Sequence, residues 1–185
     1  MKNIYFVTKN GYKFERFIAL VKITGLIFQK LEQNTPEIQS MENKEIAEFS
    51  ASWAANKFRL PIIKEDVGLF IDALNGFPGP YLSSVESLIK SNGFIKLMHN
   101  KTNRKAYWNY AISFCEPDQS PVSFSTIQKG TIALKAKGNA GYESDKIFIP
   151  SDSNRTIAEL LETKQFVRNS EHYVMLEKYL RSKFS

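Results

Sequence analysis

One cysteine, two histidines and two tryptophans are all that this chain of 185 residues has of those types. The lone Cys115 cannot close an internal disulfide, and with His99 and His172 it forms no clustered zinc spacing. Nine glycines and seven prolines are too few for a collagen or linker chain, and a 43% apolar share is too high for a disordered one. No apolar run reaches the roughly 20 residues of a membrane span, so no membrane partner is expected. The opening stretch from Met1 to Thr8 has a short apolar core without a cleavage site, so no signal peptide is expected, and the expected compartment is the cytoplasm. Ser83-Ser84 and the two histidines make no recognisable nucleophile–base pair, which argues against a serine or cysteine hydrolase.

The net charge of +6 points to anionic partners. Its lysines and arginines are dispersed, not blocked into an arm, which favours a small-anion pocket over a nucleic-acid stripe; no nucleic-acid partner is expected. There is no repeat, low-complexity tract or Pro/Gly/Ser linker, so residues 1–185 read as a single domain, at most two packed lobes.

Asn3 to Thr8 predicts a buried strand, followed by a turn and an amphipathic helix from Lys13 to Thr24 that Gly25 stops. A second strand spans Leu26 to Leu31, and a helix spans Asn43 to Phe58. Pro61 to Asp66 predicts a central strand ending in acid, continued past a kink by Gly68 to Ile71. Asn75 to Pro80 is a tight loop, and helices follow at Leu82 to Lys90 and Gly93 to His99. Ala106 to Cys115 and Pro121 to Ile127 alternate like antiparallel strands, with shorter strands at Gly130 to Leu134 and Ile147 to Ile149. Thr156 to Leu161 and Asn169 to Lys183 predict closing helices. Interleaved elements followed by a run of strands indicate an α/β fold with a mixed sheet.

Three places carry polar groups where α/β proteins put their sites. Thr8, Lys9, Asn10, Gly11 and Lys13 lie between a strand and a helix N-terminus, whose free N–H groups favour an anion. The same residues also suit a capped helix start with solvated lysines. Glu65 and Asp66 end a strand and point to opposite faces if the strand is straight; one suits a divalent metal, and either suits a strand-end cap. Glu37 gains meaning only with Asp66, because Mg²⁺ takes one or two carboxylates plus phosphate oxygens and waters. Together these parts suit metal-assisted attack of water on a nucleotide phosphate.

Thr8-x-Asn10-x-x-Lys13, Pro36-Glu37-Ile38-Gln39, Glu65-Asp66-Val67-Gly68-Leu69 and the stretch from Ala73 to Tyr81 resemble, in that order, the inosine triphosphate pyrophosphatase family. The resemblance implies hydrolysis of non-standard purine nucleoside triphosphates to monophosphate and pyrophosphate. It also implies an elongated two-lobed α/β structure with a mixed sheet, flanking helices and a nucleotide cleft between lobes, a Mg²⁺ cofactor, and a homodimer. Carried over residue by residue, Thr8, Asn10 and Lys13 match the triphosphate-binding turn that also holds Lys9 and Gly11. Asp66 matches the general base and metal-linked carboxylate, Glu37 a metal ligand, and Glu65 its neighbouring acid, counted with them among the expected metal residues.

Beyond residue 140 the chain departs from the family. Tyr142 and Asp145 keep an aromatic and an acid of the base pocket, while Glu143 stands for a glycine, Ser144 for an aromatic and Lys146 for a proline. Lys164, Ser170 and His172 match its later base-side positions, but its arginine has no counterpart, and a lysine common in its second helix falls at Ser50. Pyrophosphohydrolase chemistry is therefore the leading expectation, and a degenerate member that binds a phosphorylated ligand without turnover is the alternative.

Overall fold

The computed structural model describes residues 1–166 and 168–185. Seven strands form one open mixed sheet in the order β2-β1-β3-β5-β6-β7, with β4 paired to β3. They are β1 (Lys2–Val7), β2 (Leu26–Leu31), β3 (Ile62–Ile71), β4 (Pro78–Gly79), β5 (Lys105–Cys115), β6 (Val122–Ile132) and β7 (Phe148–Pro150). The helices are α1 (Gly11–Leu20), α2 (Asn43–Phe58), α3 (Leu82–Leu97), α4 (Ile157–Glu162) and α5 (Glu171–Lys183). β1 runs parallel to β2 and β3, while β4 on β3 and β7 on β6 are antiparallel, so the α/β fold with a mixed sheet and flanking helices is as expected. Among the described residues no helix is long and apolar enough to cross a membrane.

Several boundaries differ from the sequence reading. α1 begins at Gly11 and ends at Leu20, because Asn10 caps it through Oδ1 and Val21 is already extended. β3 runs unbroken through Asp66, Val67 and Gly68, since β1 holds one part and β4 another; a glycine permits a bend without making one. β6 likewise runs straight to Ile132. Gly130 is not a break there: a Cβ at that position would lie 2.3 Å from the Ile149 carbonyl oxygen of β7. The two helices expected after Tyr81 are present as the two halves of α3, separated at Lys90, where φ is +56°.

Two compact units divide the chain, with boundaries that fall inside β3, β5 and β6. The first comprises Met1–Asp66, Tyr110–Thr126 and Ser170–Ser185. Strand alternation gives it two cores. Ile4, Phe6 and Ile63 pack with Phe17 of α1 and Tyr173, Leu176 and Leu180 of α5. Val7 and Ile62 pack with Ala51, Ala54 and Ala55 of α2. These small α2 residues let the helix approach the strands closely. The second unit comprises Val67–Asn109 and Ile127–Asn169. In it the Phe70 and Tyr107 rings stack 5.0 Å apart, and a capping box of Thr156 and Glu159 starts α4.

Candidate active site

In the first unit β1 hands over to α1 through the Thr8–Lys13 turn. Thr8 Oγ1 accepts from the Asn10 N–H at 3.0 Å, and Asn10 Oδ1 accepts from the Lys13 N–H at 3.3 Å. The cap thus forms, and it leaves the Gly11 and Tyr12 N–H groups of the first turn unused by it. A Cβ on Gly11 would meet no protein atom within 4 Å, so nothing in the packing calls for glycine there. Lys9 is exposed.

Glu65 and Asp66 leave β3 on opposite faces. Glu65 faces α1 and α5, where its side chain is fully buried. Its Oε1 accepts from Arg16 at 2.8 Å, Tyr173 OH at 2.9 Å and His172 Nε2 at 3.0 Å; Lys13 Nζ lies 3.7 Å from Oε2. Burial alone would raise this carboxyl's pKa, but Lys13, His172 and Arg16 outweigh it and hold Glu65 ionised far below the ordinary carboxylate range. His172 is also fully buried, its ring stacked on Tyr110 at 5.5 Å. Burial lowers its pKa against the pull of Glu65, so the imidazole is neutral and donates through Nε2.

Asp66 faces α2. Its Oδ2 accepts from Asn43 Nδ2, at the start of α2, at 2.6 Å. Burial pushes the Asp66 carboxyl up; Asn43 and Lys13 pull it down, and the charge of Glu37 pushes it further up. Glu37, Lys13 and Lys64 are therefore all within electrostatic reach of Asp66. Lys64 Nζ stands 3.4 Å from Glu37 Oε1 and donates to Thr35 Oγ1 at 2.9 Å. The Asn43 Oδ1 acceptor is buried with no hydrogen-bond partner among the described residues. Among them, too, no group of three or more His, Cys, Asp or Glu side chains gathers as a metal site.

The base-side positions divide between the units. In the second unit Asp145 is fully buried; its Oδ2 accepts from the Tyr142 N–H at 2.8 Å and from Arg168 at 2.5 Å. The Arg168 guanidinium lies 5.6 Å from the Tyr142 ring centroid. Glu143 is held by Lys146 at 2.7 Å and by the Ser91 N–H at 3.0 Å, which drop its pKa to about 2. Ser144 donates to Glu86 through both N–H and Oγ. Lys164 sits exposed on a turn at φ +54°. In the first unit, Ser170 precedes α5 and His172 belongs to the Glu65 network.

The Ham1 family model matches residues 4–171. The chain belongs to the Ham1 family. A dITP/XTP pyrophosphatase of Methanopyrus kandleri is 38% identical over 157 residues, 85% of this chain and 84% of that protein. Another, of Korarchaeum cryptofilum, is 41% identical over 160 residues, 86% of this chain and 85% of that one. The solved Ham1 protein of Staphylococcus aureus superposes with a TM-score of 0.83 at 25% identity, covering 98% of this chain and all of that one. The resemblance to the inosine triphosphate pyrophosphatases is thus a family relationship that spans most of the molecule.

Sequence reasoning missed Arg16, Asn43, Lys64 and Arg168. Arg16 is one turn beyond Lys13 on α1, so its helical spacing was the available signal. Asn43 was read only as a helix start. Arg168 carried no motif, and only the fold brings it to Asp145.

Proposed function

We propose that this Ham1 family protein is a nucleoside triphosphate pyrophosphohydrolase. It acts on non-standard purine nucleotides of the inosine and xanthosine type, adding water across the α–β anhydride to give the monophosphate and pyrophosphate. The observation that carries the reading is Asp66, a carboxylate kept basic by burial, aimed by Asn43, and charge-coupled to Glu37 and Lys13. The names of the relatives, dITP/XTP pyrophosphatases, agree with it.

The donors suit a hard cation: two charge-coupled carboxylates, all oxygen, with the buried acceptor Asn43 Oδ1, to which a metal-bound water can donate, on the side chain that holds Asp66. Glu37 and Asp66 would hold Mg²⁺, which when bound supplies charge against the phosphate oxygens and the leaving pyrophosphate. Asp66 takes the proton of the attacking water. The Gly11 and Tyr12 N–H groups, with Thr8, Asn10, Lys9 and Lys13, bind the triphosphate at the α1 N-terminus. Glu65 acts indirectly, holding Lys13 and Arg16 in place from below. Tyr142, Asp145 and Lys164 of the second unit remain base-side residues of this proposal, and Ser170 and His172 of the first keep that assignment from the family resemblance alone. A cytoplasmic homodimer is part of it, drawn from the family resemblance and checked by light scattering.

Pyrophosphate release from ITP, XTP, dITP, GTP and ATP with Mg²⁺ tests the reading. ITP or XTP should be preferred, and Asp66→Asn should lower kcat by about 10²- to 10⁴-fold, the usual share of a general base. Full activity of that variant would remove Asp66 from its role. Tight binding of a triphosphate without any product would turn the reading to the non-hydrolysing alternative.

A further inference from the structure

β3 presents one more charge to the face that carries Asp66. Lys64 lies two residues before Asp66 on an unbroken strand, so both side chains leave the same side, toward α2. Its side chain is 13% exposed, and its ammonium grips the segment of residues 35–37 through Thr35 and Glu37. Ser50 of α2 reaches that same segment: its Oγ donates to the Pro36 carbonyl at 2.9 Å. Position 50 is where the resemblance places a lysine this chain lacks. The structure therefore shows an ammonium arriving from the strand at the segment that position 50 addresses from the helix.

We propose that Lys64 is a triphosphate ligand of this site, one that neutralises Glu37 until cation and substrate arrive. The proposal rests on the pyrophosphohydrolase reading. Lys64 is paired with Glu37 and Lys13 with Glu65, and both ammonium groups are within electrostatic reach of Asp66. A divalent cation on Glu37 and Asp66 removes the counter-charge of Lys64 and repels its ammonium. A lysine so placed needs a new anion, and the polyphosphate is the anion that comes with the cation. Lysine suits this exchange because it binds as a point charge on a flexible stem, with no fixed fork to satisfy.

The two roles predict effects of opposite sign, which a loss of structure would not produce. Lys64→Met removes the ammonium and keeps an unbranched apolar stem. By calorimetry it should bind Mg²⁺ alone a few-fold more tightly, because nothing competes for Glu37. It should bind inorganic tripolyphosphate about 10- to 100-fold more weakly, the value of a charged hydrogen bond. Lys64→Arg should regain most of the tripolyphosphate affinity. Tripolyphosphate binding equal to that of the parent protein, or a parallel loss for Mg²⁺ and tripolyphosphate, overturns the proposal. If the parent releases pyrophosphate while Lys64→Met binds as it does, Lys64 alone is misassigned. If the parent neither binds tripolyphosphate nor releases pyrophosphate, the functional reading falls with it.

Discussion

Asp66 illustrates how one residue serves function at the expense of stability. Its pKa is raised in the fold, so the native state favours the protonated form and resists ionisation. The native state then holds more protons than the unfolded chain in the window above the ordinary aspartate value. Stability contributed at this position falls as pH rises through that window. Asp66→Asn removes the charge and keeps an acceptor for Asn43. In chelator, near neutral pH, the variant should melt at a higher temperature than the parent, and the gain should vanish in acid below the ordinary aspartate pKa. Scanning calorimetry at several pH values checks this; an unchanged or lower melting temperature at neutral pH counts against a strained Asp66.

Among the elements, α3 depends on a residue the family pattern does not contain. Lys90 breaks the helix, and the Glu143 carboxylate accepts from the Ser91 N–H that opens its second half. That bond is an N-cap supplied from a distance, worth about 1 kcal/mol. Glu143→Ala should speed hydrogen exchange of the amides from Ser91 to Leu97 while leaving those of α2 unchanged. Gly141, just before, sits at φ +75°, and a Cβ there would lie 2.3 Å from Asp145 Oδ2. The turn that presents Tyr142 therefore requires glycine. Much of this scale was legible beforehand. Apolar alternation marked the long strands, and helical spacing marked α2. The errors lay where local signals compete with pairing: Gly68 and Gly130 read as interruptions because neighbouring strands are invisible to a local pattern.

At the scale of the whole molecule, the first unit is gathered from three separate stretches of chain. Glu65 joins the first of them to the last, bonded to Arg16 of α1 and to His172 and Tyr173 of α5. Glu65→Gln would leave a buried guanidinium facing a neutral amide, at a cost of about 3–5 kcal/mol to unfolding by denaturant. Because the carboxyl pKa is depressed in the fold, the parent gains this stability above the ordinary glutamate value and loses it as pH falls below; the variant should lack that acid-sensitive component. The alternation of side chains was enough to place Glu65 and Asp66 on different faces. It could not tell which face was dry, because the partners of Glu65 stand 49 and 107 residues away.

That buried carboxylate also makes an early stretch of the chain wait for a late one. A nascent chain that has just exposed Lys13, Glu37 and Asp66 outside the ribosome holds every acid and base assigned to the phosphates, yet α5 is still to be translated and Glu65 has neither its imidazole nor its phenol. Until α5 docks, only Arg16 and Lys13 answer the Glu65 carboxylate, so the network that holds both cations is completed by residues 171–183.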